Sequence, residues 1–155
     1  MMTRLKKTLA VVGVSAAAIG LTGCAVGPAA ASGNSQVTAQ AATAESDERD
    51  RTACMGFSGA MEDFQVSGRT AAEAGSVDGY ADALSVLAYD IGTHSVEAGK
   101  GSEVQVALQD AASAAATATD EYGPTGNVST TNWLAVQTTV ASAAEHCDLP
   151  GYTFE

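Results

Sequence analysis

The sequence predicts an all-α fold: a small antiparallel four-helix bundle with up-down-up-down connections. Two observations carry that expectation. Apolar residues recur at alternating steps of three and four in four successive segments beyond Glu45, the spacing that keeps side chains on one face of a helix with 3.6 residues per turn. Short breaks such as Gly99-Lys100-Gly101 and Gly123-Pro124-Thr125-Gly126 separate the later segments, and connections that short set consecutive helices antiparallel.

Residues 1–23 stand outside that bundle. Met1–Lys7 carries Arg4, Lys6 and Lys7 and no acid, and an apolar run from Leu9 to Leu21 follows. Thirteen helical residues rise about 20 Å, short of the ~30 Å hydrocarbon core of a bilayer. A basic start, a short apolar run and small residues beyond it read as an export signal that is removed. The end of the run, Leu21-Thr22-Gly23-Cys24, resembles the lipobox of bacterial lipoproteins: an aliphatic residue, two small residues, then cysteine. The resemblance implies transfer of a diacylglyceryl group to the Cys24 sulfur and cleavage before Cys24. The mature protein is then anchored to the cell membrane by lipid and faces outside the cytoplasm. Two acyl chains on one cysteine suffice for stable anchoring. The competing reading is ordinary cleavage after Ala29-Ala30-Ala31, which would release a soluble form.

Residues 24–44 read as a lipidated, flexible stalk. From Ala25 to Thr43 the chain holds small and polar residues, one Pro and no charge, too little to build a core. Residues 45–155 are the predicted bundle domain. Its first stripe is Cys54, Phe57, Met61 and Phe64, and its second is Val77, Tyr80, Leu84, Leu87 and Ile91. The third is Val104, Leu108, Ala111, Ala115 and Tyr122, and the fourth Trp133, Val136, Val140, Ala143 and Cys147. Thr70-x-x-Glu73 and Ser102-x-x-Gln105 fit capping boxes, in which side chains satisfy the free N–H groups of a first turn. Gly75 and Gly79 weaken a helix begun at Thr70, so residues 70–75 are expected to form a separate turn and the second helix to span 76–98. Ser129, Thr130 or Thr131 can cap the fourth helix. Tyr152 and Phe154 are expected to fold back over the bundle end near Cys54.

Cysteine parity follows from the lipobox resemblance. The chain has three cysteines, an awkward number where disulfides form. Lipidation consumes Cys24 and leaves Cys54 and Cys147 as the single pair, expected to staple the bundle as one disulfide. The topology agrees, because the start of helix one lies beside the end of helix four.

Charge bounds the partners. The full chain has 7 Lys and Arg against 18 Asp and Glu, a formal charge of −11. Removing the leader takes three cations and no acid, leaving a side-chain balance of −14. Such a surface is repelled by phosphate backbones, which excludes nucleic acid. The motifs of a serine hydrolase or a zinc protease do not occur in the sequence, and no enzyme activity is expected. One constellation suits a divalent ion: Asp90, His94 and Glu97 fall at i, i+4 and i+7 along helix two, where imidazole and carboxylates can converge. The alternative is a solvated polar face. No cofactor is implied. The functional expectation is an extracytoplasmic lipoprotein whose acidic bundle acts by contact with an envelope protein, wall polymer or cationic ligand. The second expectation is a metal or small-ligand binder using the face around His94.

Overall fold

The computed structural model describes residues 33–149, with side chains from residue 40 onward. They form four helices: α1 (Gly33–Glu73), α2 (Val77–Glu97), α3 (Glu103–Thr125) and α4 (Thr130–His146). Neighbours in sequence are antiparallel neighbours in space. On α1, a β-carbon at Gly56 would overlap the His94 ring of α2, and one at Gly68 would touch Tyr80. Between α2 and α3, Gly92 faces Ala112 and Tyr80 meets Tyr122. Between α3 and α4, Glu121 bonds Asn132 near the start of α4, and Glu103 approaches His146 at its end. The result is an all-α four-helix bundle joined by the disulfide Cys54–Cys147.

The core is where the periodicity puts it. Phe57, Met61, Leu84, Leu87, Ile91, Leu108, Val136 and Val140 are fully buried. Each such side chain contributes about 1.5–3 kcal/mol of burial. Ala107, Ala111, Ala115 and Ala118 line the buried side of α3, and their small size lets α2 and α4 approach it closely. The α1 and α4 backbones stand further apart, and α1 brings the bulkiest core residues, Phe57, Met61 and Phe64. Of the predicted stripe residues Val77 departs furthest, at 45% exposed. It occupies the first turn of α2, beyond the last layer of the core.

Three boundaries differ from expectation. Helix α1 begins at Gly33 and takes residues 33–44, part of the expected stalk, into regular helix. No proline follows Pro28 in this stretch, and Ala and Gln are good helix formers. A helix nucleated in the bundle therefore propagates backward along them. Thr70 caps nothing: it lies within α1, and its hydroxyl donates to the Val66 carbonyl at 2.8 Å. The stop comes at Gly75, in the left-handed region at φ 63°. There the Ser76 N–H bonds the Ala71 carbonyl and the Gly75 N–H bonds that of Ala72, the paired closure of a Schellman turn. Ser76 then caps α2 by accepting from the Gly79 N–H. Pro124 lies inside the last turn of α3, which ends only at Gly126 with φ 65°. A proline there forfeits a single hydrogen bond.

The expected caps at Ser102 and Ser129 are present. Ser102 Oγ accepts from the Gln105 N–H, and Gln105 Oε1 accepts from the Gly101 N–H. Ser129 Oγ accepts from the Asn132 N–H. Cys24, the leader and the tail residues Tyr152 and Phe154 lie outside the described residues.

Candidate functional site

The predicted ion-binding triad does not converge. Asp90, His94 and Glu97 share one side of α2, but only two of them meet: His94 Nδ1 lies 2.8 Å from Glu97 Oε2. A carboxylate can only accept, so Nδ1 carries the proton. The ring is held from below by α1, against the bare backbone of Gly56. Among the described residues no group of three or more His, Cys, Asp or Glu side chains is arranged to hold a metal ion.

The disulfide joins the first supported part of α1 to the residue just after α4, with a Cα–Cα distance of 5.3 Å. Close by in sequence, Asp50 ties α1 to the loop between α2 and α3. Its Oδ1 accepts from the Gly99 N–H at 2.8 Å and from the Ser102 hydroxyl at 2.8 Å. A β-carbon at Gly99 would meet Ser46 Oγ, so a larger residue there forces that hydroxyl to turn aside. In the sequence Asp50 lies within Glu45-Ser46-Asp47-Glu48-Arg49-Asp50-Arg51, a run of mixed charge that reads as a solvated helical turn. The available signal was a glycine loop followed by serine, which leaves backbone N–H groups in need of an acceptor.

The opposite end of the bundle has its own carboxylate. Glu121 Oε2 accepts from the Ser129 N–H, the Ser129 hydroxyl and the Asn132 side chain, at 2.8–3.0 Å. The bond from the Ser129 backbone and then that from the Asn132 amide lower its pKa below the ordinary carboxylate value. Nearby, Tyr80 packs edge-on against Phe64 and at 5.2 Å from Tyr122. Burial, with a smaller effect from Tyr122, raises the Tyr80 pKa above that of a free phenol. Tyr80, Tyr122, Ala71 and Val77 border a shallow hollow of about 360 Å³ whose lining holds no acid, cation or imidazole. A second hollow of about 310 Å³ lies between α3 and α4. It contains Glu103, Asp110 and His146, with His146 Nδ1 3.8 Å from Glu103. Ser102 and Ser142 line the same hollow.

The cations of residues 33–149 are Arg49, Arg51, Arg69 and Lys100, and Arg51 is engaged with Glu48 at 2.9 Å. No cation lies between Arg69 and Lys100, a stretch that includes all of α2. The outer side of α2 carries exposed Val86, Tyr89 and Val96 among Asp78, Asp82 and Glu97. This outer row was invisible to a search for core stripes, because a second apolar set at the same spacing reads as noise around the first. No protein-family model matches the chain, and no curated protein or solved structure shows significant similarity to it.

Proposed function

We propose that the protein is a lipid-anchored lipoprotein of the cell envelope that presents its acidic helical bundle outside the cytoplasm as an interaction module. The observation that carries this reading is Leu21-Thr22-Gly23-Cys24 at the end of a basic-then-apolar leader. Parity supports it: of three cysteines, Cys54 and Cys147 are joined, and Cys24 is the one left for lipid. No helix among the described residues is long and apolar enough to cross a membrane, so attachment falls to the leader region. The acidic charge of the bundle and its exposed apolar residues Val86, Tyr89 and Val96 support the reading of contact with a partner.

Cys24→Ser tests the anchor. The wild-type protein is expected in the membrane fraction as a processed form whose mass includes a diacylglyceryl group. The variant is expected unprocessed or released to the medium. A variant that still fractionates with membrane at the mature mass would overturn the assignment.

A further inference from the structure

The geometry points to the outer face of α2 as a docking seam for a cationic amphipathic helix. This inference rests on reading the bundle as an interaction module and is independent of the lipid anchor. The core-facing side of α2 is accounted for by Leu84, Leu87 and Ile91, all buried. On the opposite side, Val86, Tyr89, Thr93 and Val96 follow one another at steps of three, four and three. That alternation is the heptad spacing that aligns a row of side chains with the seam of a second helix. The row is open: Val86 is 54% exposed, Tyr89 73% and Val96 75%. Three of the eight large exposed apolar residues among those described therefore stand in one line.

Charge selects the occupant. Asp78 and Asp82 continue the row at its N-terminal end, and Asp90 and Glu97 border it on one side. No lysine or arginine interrupts α2. A second copy of this chain would bring a second set of acids to the seam and no Lys or Arg on α2 to meet the first, which is unfavourable. An anionic lipid surface would be repelled for the same reason. A helix with aliphatic residues at heptad spacing and Lys or Arg on its flanks satisfies both features. Its apolar seam covers the row, and its cations meet Asp78, Asp82 and Asp90, which face no Lys or Arg on α2, whereas Glu97 is already bonded to His94. The row from Asp82 to Val96 is about 21 Å long, which calls for a partner of about 15–20 residues.

The probe is a synthetic helix of Leu at heptad positions and Lys elsewhere, titrated by fluorescence against the full-length protein in zwitterionic nanodiscs. Controls are a scrambled peptide of equal composition and a version with Glu for Lys. Only the patterned cationic peptide is expected to bind, with affinity that falls as salt rises. Replacing Val86, Tyr89 and Val96 together by Ser should weaken binding about tenfold or more. Asp82→Asn with Asp90→Asn should weaken it and flatten the salt dependence. Asp110→Asn with Asp120→Asn removes equal charge from α3 and should change affinity less than about twofold. All these positions except half-buried Asp90 are exposed, and unchanged circular dichroism melts confirm intact folds. Equal binding of the scrambled peptide, or indifference to the triple Ser variant, overturns the seam. Stripe-dependent self-association in sedimentation, or stripe-dependent binding to anionic vesicles, reassigns the occupant and also overturns the proposal. Were the anchor reading wrong, the protein would stay outside the discs while the titration ran unchanged in solution, so the two failures are distinguishable.

Discussion

Opening the Cys54–Cys147 bridge should weaken this fold more than any other single covalent change. The cysteines are 93 positions apart, so the bond closes a ring of about 94 residues in the unfolded chain. On the chain-entropy relation a ring of that size is worth about 4.7 kcal/mol at 25 °C. Unfolding entropy of about 2.1 cal/mol/K per residue gives ~0.24 kcal/mol/K for some 115 ordered residues, which converts the loss into a fall in Tm of about 15–20 °C. Two features make the bundle unable to absorb it. The core relies on alanine along α3, and the α1 and α4 backbones do not pack closely, so the bridge is the one covalent tie between these two sides of the bundle. The assay is a circular dichroism melt of oxidised protein, of protein in excess phosphine with thiols counted, and of the Cys54→Ala, Cys147→Ala double variant. Hydrogen exchange should show α4 losing protection before α2 and α3. A Tm drop below about 5 °C in both reduced and double-variant protein would refute the reasoning. It would mean that helix packing alone fixes the α1–α4 edge.

The remaining expectations concern single side chains. Asp50→Ala removes the acceptor of the buried Gly99 N–H and of Ser102, and should cost about 2–3 kcal/mol in urea unfolding. Asp47→Ala, on the exposed side of the same turn, should stay within about 0.5 kcal/mol of wild type. Because the Glu121 pKa is lowered in the fold, its contribution is complete above the ordinary carboxylate range and is lost as pH falls through the folded value. Acidification should therefore lower the protection factor of the Ser129 amide, its exchange measured against the intrinsic rate at each pH, in wild type, with Glu121→Gln removing that pH dependence. Asp148 adopts φ 53° while Leu149 N–H closes onto the Ala144 carbonyl, a position that favours glycine. Asp148→Gly should raise stability by about 0.5–1 kcal/mol, read from the chemical melting midpoint.

The parts of this fold that were legible in sequence are those set by neighbours within one turn. Leu84, Leu87 and Ile91 announce a buried face because helix geometry alone brings them together, and Ser102 and Ser129 announce helix starts for the same reason. Thr70 misled because a capping sequence is permissive: Ala71, Ala72 and Glu73 extend α1 as readily as they begin a helix, and the decision falls to the left-handed glycine at Gly75. The helical state of residues 33–44 depends on a bundle that lies C-terminal to them, so a window confined to that stretch reads only its composition. Asp50 and Glu121 work across 49–52 and 8–11 positions respectively. Their roles follow from which loops the topology brings to them. The triad Asp90, His94, Glu97 shows the converse, since shared helical register brought two groups within bonding distance and left the third apart.

The bridge has a mechanical meaning that its thermodynamic value does not express. Tension applied between the two ends of the chain runs along α1 to Cys54, crosses the sulfur–sulfur bond, and leaves through the residues after Cys147. Residues 55–146, which hold almost the entire core, carry none of that load. About 320 Å of potential extension is thereby locked away, and of the described residues only the part of α1 before Cys54 and the two residues after Cys147 lie in the path of the load. A partner pulling on one end while the other is held would stretch a short leash, and the face it grips would keep its shape.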